Sequence, residues 1–304
     1  MDSVARPAVG GAFALGCLVL LGVMPVIANG RPAGSSAVVF ALWMSVWQLI
    51  FALPPVVREW RSGDRGMFGL APAVRARLLV VTGFTGTLFA LAGWFYVLGF
   101  ERAGAVNAAI ALQAYPLFAA GLEAVLFGRR KGAAELGFTA LVLGALYWLA
   151  TGGTGRLGGL SAWFLVALAV PALWTVAHVM LRQTLLTHSV TPAQVTASRL
   201  VVVTGILLPL AAWLDPAGLA AALSDMRTQG FAAAMGLAYY LELLLWFHAV
   251  RHIPVSLAST ITVPAPAVTM ALAWALLGDA VAMWQVGALV VVVFGLVGVL
   301  MTAR

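Results

Sequence analysis

Charge and cysteine are what this 304-residue sequence has least of. Its single cysteine, Cys17, excludes an intrachain disulfide and a thiolate metal site, and its apolar setting makes it a small buried hydrophobe. There is no G-x-x-x-x-G-K-[ST] loop, which argues against ATP hydrolysis, and no H-E-x-x-H or comparable ligand spacing. No metal and no cofactor are therefore expected. The aspartates, Asp2, Asp64, Asp215, Asp225 and Asp279, all fall in tails or loops, so little could bind Na+ tightly at membrane depth. Of the basic residues Arg199 is the one available to face a cavity, too few for a phosphorylated or nucleotide-sugar substrate.

What remains is apolar. The chain is 63% hydrophobic and 9% charged, with mean hydropathy +1.03, a balance that marks an integral membrane protein. A pI near 10.5 suggests nucleic acid in a soluble protein, but here the basic residues sit at segment ends and nucleic-acid binding is excluded. Ten apolar segments follow one another: Val9 to Ala28, Ser36 to Val57, Leu78 to Phe100, Ala103 to Phe127, Leu136 to Thr151, Leu160 to Leu186, Ala193 to Leu214, Phe231 to Val250, Val255 to Leu277 and Val281 to Met301. The first is long for a signal peptide and lacks an A-x-A site, so it is retained as a helix. With the N-terminus inside, the inner loops hold most of the basic residues, including Arg58, Arg61, Arg65, Arg75, Arg77, Arg129, Arg130 and Lys131. The outer loops hold Arg31, Arg102, Arg156 and Arg227, so both termini are expected in the cytoplasm.

The ninth segment organises the chain. It is broken near its middle by Pro264 and Pro266, and irregular backbone at membrane depth is tolerated only where protein or a watery cavity covers it. A slide of 150 residues puts Pro116 on Pro266, Gly128 on Gly278 and Gly137 on Gly287 with no gap. Two related halves follow, 1–153 and 154–304. Five segments per half bring the second half into the membrane from the opposite side, so the expected fold is all-α, ten transmembrane helices as two inverted five-helix repeats. Broken helices and inverted repeats are typical of secondary transporters.

Ala258-Ser259, Pro266 and Leu276-Leu277-Gly278-Asp279, followed by Trp284-Gln285-Val286-Gly287, resemble the repeat-end motif of the drug/metabolite transporter superfamily, in its EamA-type members. The first half keeps Ala108-Ala109, Pro116 and Leu126-Phe127-Gly128, with Arg129 where that family usually has an acid. Among its branches the chain looks most like the bacterial YddG-type exporters of aromatic amino acids. The resemblance implies a multi-pass protein of the bacterial inner membrane.

Polar and aromatic residues at membrane depth are the site candidates. Glu242 is costly in hydrocarbon unless paired, protonated or hydrated, and Tyr239, Glu242 and Trp246 share one helical face by i, i+3, i+7 spacing. The 150-residue slide puts Tyr239 and Trp246 on Phe89 and Tyr96, so both halves offer an aromatic stripe. Packing or lipid contact is the plainer reading of such a stripe. The sixth segment adds Trp174 near mid-depth and His178, read either as a proton carrier or as a neutral interhelical hydrogen-bond partner. Asn107 and Gln113 supply uncharged donors and acceptors for a zwitterion, or simple interhelical bonds. Arg199 is read as snorkelling to the cytoplasmic face or as a structural partner, with Glu242 or a substrate carboxylate as the alternative. Gly83, Gly86 and Gly93 are expected to allow close helix approach.

Aromatic walls with few charges suit apolar or aromatic metabolites. The expected activity is outward movement of aromatic and other hydrophobic amino acids by alternating access, with membrane lipid as the surrounding partner and a monomer as the expected form. Another drug or metabolite, a passive channel, or a membrane-embedded enzyme built on His178, Arg199 and Glu242 are the alternatives; a non-enzyme is expected.

Overall fold

The computed structural model describes residues 7–302, apart from 33, 116, 119, 120, 123, 124, 126–131, 157–160, 254–257, 259 and 260, and apart from the side chains of 182, 185, 186, 247, 250, 251 and 300. Every regular element among the described residues is helical: α1 (Pro7–Asn29), α2 (Ala37–Arg61), α3 (Pro72–Ala103), α4 (Ala105–Leu112), α5 (Ala133–Ala150), α6 (Ala162–Thr187), α7 (Pro192–Leu214), α8 (Pro216–Ser224), α9 (Met226–His252), α10 (Ala265–Leu272) and α11 (Met283–Thr302). Among the described residues six spans are long and apolar enough to cross a bilayer: Pro7–Asn29, Ala37–Gly69, Pro72–Ala103, Ala133–Ala150, Ala162–Leu181 and Pro192–Leu214. α9, with 27 residues, is about 40 Å long, ample length despite the polar residues it carries.

Helix starts follow local chemistry. Pro192 occupies the first turn of α7, where a missing N–H costs nothing, and Thr191 and Gln194 form a reciprocal capping box. Asp215 caps α8 by accepting from the Gly218 N–H. This short helix lies in a stretch read from the sequence as an outer loop; nine residues, mostly Ala and Leu, are too few to signal a span.

The broken helices are where sequence and structure differ most usefully. α4 ends in a turn at Gln113-Ala114, and a turn at Val263-Pro264 precedes α10. Subtracting 150 superposes the two turns, and the Leu117 N–H to Ala114 O bond (2.9 Å) has its counterpart in Ala267 N–H to Pro264 O (2.8 Å). Pro264 lies in the turn, but Pro266 is buried in the first turn of the resumed helix. The proline is thus the start signal of a second half-helix, because its absent N–H is harmless there, and the break falls just before it. Pro116, the matching residue, lies outside the described residues. α10 continues as a π-helical turn, Ala273–Leu277, that Gly278 ends at φ +71°, a left-handed conformation suited to glycine.

The same shift maps α11 onto 133–152, over α5, and α9 onto 76–102, within α3. It maps α7 onto 42–64, overlapping α2.

The helices fall into two compact units, each drawing on both halves of the chain: residues 31–97 with 172–240, and residues 1–30, 98–171 and 241–304. In the first, α2 packs along α7; in the second, α5 packs along α11 and α1 along α10. Each of the first two pairs joins an element to its own counterpart in the repeat. Lipid supplies no hydrophobic drive between helices, so association depends on close packing and hydrogen bonds. Gly236 on α9 meets the α2 backbone, and Gly22 on α1 lies so close to α10 that an added Cβ would stand 2.9 Å from the Ala265 carbonyl oxygen. Of the three glycines expected to serve this role on α3, Gly86 does, against Val202; Gly93 makes an ordinary contact with Met44, and Gly83 meets nothing. Hydrogen bonds add Thr269 Oγ1 to Gly22 O (2.9 Å) and Trp47 Nε1 to Gln229 Oε1 (2.8 Å). Cys17 is fully buried, its thiol donating to Glu242 O at 3.4 Å.

Candidate functional site

Within the unit of residues 31–97 and 172–240, five helices bring aromatic and polar side chains together in two tiers. Helical spacing places Phe89, Gly93 and Tyr96 on one face of α3, and Trp174 and His178 on one face of α6. At one tier Tyr96, Trp174 and α9's Tyr239 form a ring trio, with centroids 6.0 Å (Tyr96–Trp174), 6.3 Å (Tyr96–Tyr239) and 6.1 Å (Trp174–Tyr239) apart. At the other, His178 meets Phe89 at 5.3 Å with the rings inclined at 67°. Seven residues along α3 separate the tiers, about 10 Å.

Arg199 completes the second tier. Its Cζ stands 3.8 Å from the Phe89 ring centroid, and the residue is only 6% exposed. The snorkelling reading is therefore corrected: the head group is held inside the helix bundle by a ring face rather than reaching an aqueous surface. A desolvated cation–π contact is worth about 2 kcal/mol, comparable with the roughly 2.5–3.5 kcal/mol that a basic residue costs at the centre of a membrane helix.

Around Arg199, Phe89 and Tyr239 lies a narrow cleft, also lined by Ser45 and Gln48 of α2. Both are buried, and the Ser45 hydroxyl donates to Ala41 O at 2.8 Å. The void is about 10 Å³, room for roughly one water. In the ring trio, Trp174 Nε1 is buried with no hydrogen-bond partner among the described residues. A buried donor left so costs about 1–3 kcal/mol, and an acceptor from a ligand or water is the ordinary remedy.

Phe89, Tyr96, Trp174, His178 and Tyr239 are thus gathered in one unit, whereas the other candidates lie in the second. Trp246, on the same α9 face as Tyr239, packs on a cluster of Ala14, Ala249, Ile253 and Ala258 with Phe13. α9 passes from one unit to the other between Tyr240 and Leu241, so a stripe continuous on the helix serves two different neighbourhoods. Glu242, half-buried, begins the second portion. Asn107 Oδ1 accepts from Gln285 Nε2 at 2.8 Å, and its own amide donates to Ala103 O at 3.1 Å. Gln113 reaches back to Ala109 O at 3.5 Å from within the helix break.

Ser45, Gln48 and Gln285 were not anticipated. Gln48 carried a usable signal, since an amide in the middle of an apolar span calls for the same explanation as Glu242. Glu135, 3% exposed in the first turn of α5, was also not singled out from the sequence.

Residues 161–301 match the EamA-like transporter family. No curated protein matches the chain. A protein of known crystal structure, 16% identical, aligns over 98% of this chain and 100% of its own with a TM-score of 0.66, a likeness of fold.

Proposed function

We propose that this chain is a secondary transporter or facilitator of the drug/metabolite type, exporting small amphipathic metabolites, above all aromatic and other hydrophobic amino acids, by alternating access. In this reading ten helices form two inverted five-helix repeats in a bacterial inner membrane, with both termini cytoplasmic. The observation that carries it is the ring trio Tyr96, Trp174 and Tyr239, with an indole N–H that lacks an acceptor, a wall suited to an aromatic side chain. The family match over the second half supports transport as the activity, and the coincident helix breaks at 113–114 and 263–264 support the repeat.

Tryptophan flux into liposomes containing the purified protein, with and without a pH gradient, tests this. Saturable flux inhibited by cold aromatic amino acids is expected, and Trp174→Ala should reduce it with the protein still folded. Flux of other metabolites but not of tryptophan would redirect the substrate assignment, and unsaturable conduction would make the protein a channel.

A further inference from the structure

In the unit that pairs α5 with α11, Ala145, Trp148, Trp284, Gly287, Ala288 and Val291 line an apolar cavity of about 380 Å³. We propose that it is a binding site for an anionic phospholipid, whose hydrocarbon chains fill the cavity and whose phosphate lies at Arg156. None of its residues belongs to the ring trio.

Glycines set the shape of the gap. Gly295 and Gly298 of α11 let Val142 and Phe138 of α5 come against that helix, whereas an added Cβ at Gly287 would meet nothing within 4 Å. The pair is therefore tight at one end and parted at the other. At Gly153 (φ +76°) an added Cβ would stand 3.0 Å from the Trp284 ring, and at Gly155 (φ +65°) 3.3 Å from the Trp148 ring, so the turn after α5 clamps both indole walls. The Tyr147 hydroxyl donates to Gly155 O at 3.0 Å in the same turn. Two tryptophans and a tyrosine at one end of an apolar helix pair mark the membrane–water boundary. From Trp284 to Val291 the cavity runs about 10 Å along α11, roughly a third of the hydrocarbon core, so its occupant belongs to one leaflet. Spread over that length, 380 Å³ leaves a cross-section of about 40 Å². A helix roughly 10–12 Å across needs about two to three times as much, which excludes a helix of a second copy, while hydrocarbon chains with carbon contacts at about 4 Å fit. Arg156, exposed and next in the chain to Gly155, puts a cation at the rim, and the lining includes no carboxylate to repel a phosphate.

The test is native mass spectrometry of the detergent-purified full chain, with phosphatidylglycerol or phosphatidylcholine of identical chains added back. Wild-type protein should hold one phospholipid tightly and prefer phosphatidylglycerol by about fivefold, the effect of one basic residue at a membrane surface. G287L, which places a side chain in the open part of the cavity, should lose that lipid whichever head group it carries. Gly83→Leu, equally uncrowded at its Cβ but in the other unit, should keep it. R156Q should hold the two lipids equally. A lipid retained in folded G287L overturns the assignment, as does the same affinity of wild-type protein for both lipids or an unchanged preference in R156Q. Wild-type protein that retains no lipid, whether as a monomer or as a dimer, overturns it too; should G287L fail to fold, the wild-type preference and R156Q decide.

Discussion

Gly236→Ala should separate helix packing from helix propensity. A Cβ at this position would stand 2.8 Å from the Met44 carbonyl oxygen, 2.9 Å from the Gln48 backbone nitrogen and 2.9 Å from Trp47 Cβ. Two of these three atoms are backbone of α2, so no rotamer change relieves the clash. Restoring ordinary contact requires α9 and α2 to part by about 0.5 Å, and overpacking of this kind costs about 1–3 kcal/mol. Propensity acts the other way, since alanine is favoured over glycine inside a helix by about 0.8–1 kcal/mol. Gly83→Ala isolates that term, because an added Cβ on α3 there meets nothing within 4 Å.

The assay is thermal unfolding of both variants in one detergent, followed by loss of the monodisperse species. Gly83→Ala is expected at or slightly above the wild-type midpoint, and Gly236→Ala lower by on the order of 5 °C. Tyr239 lies one turn further along α9, so transport per folded molecule should also fall in Gly236→Ala and not in Gly83→Ala. Equal midpoints and equal transport for the two variants would refute the claim that α9 and α2 touch through this glycine.

Three further outcomes follow from individual contacts. Asn107→Ala removes the acceptor of Gln285 Nε2 and should cost about 1 kcal/mol, whereas the double replacement Asn107→Leu with Gln285→Leu should melt nearer to wild type, as a mutant cycle would measure. Asp225 accepts from the Thr228 side chain and from the Arg227 and Thr228 N–H groups at the start of α9, and these bonds, the Thr228 side chain foremost, hold its carboxyl below the usual value. A carboxyl depressed in the folded state stabilises fully above its unfolded value and loses that contribution as pH falls through the folded one, so the melting difference between wild type and Asp225→Asn should shrink on acidification. Cys17, fully buried, should resist maleimide in the folded protein and react on heating with the unfolding midpoint; labelling at room temperature in folded protein would contradict its placement on α1.

Most helix positions were legible because apolar runs of bilayer length have one economical structure in lipid: α5, predicted as 136–151, spans Ala133–Ala150, and α11, predicted as 281–301, spans Met283–Thr302. The fate of side chains on those helices was harder to read. Tyr239 and Trp246 share a face of α9, yet they join different clusters, because helical spacing specifies direction from one axis and says nothing about which neighbour lies there. Glycines behave alike: Gly83 and Gly86 are three residues apart, but only Gly86 has Val202 against it.

Arg199 carries the same lesson with larger consequences. A basic residue a turn or two inside an apolar segment has two low-energy outcomes: to extend to water, or to be enclosed by groups that offset its desolvation. The sequence within α7 does not distinguish them, since the deciding group, Phe89, stands 110 positions earlier on α3. Nothing about Phe89 as a residue announces a cation partner. Once the contact is known, however, the energetic reasoning that made Glu242 conspicuous applies with greater force to Arg199: an enclosed charge inside an apolar bundle is costly, and the face of the Phe89 ring offsets part of that cost.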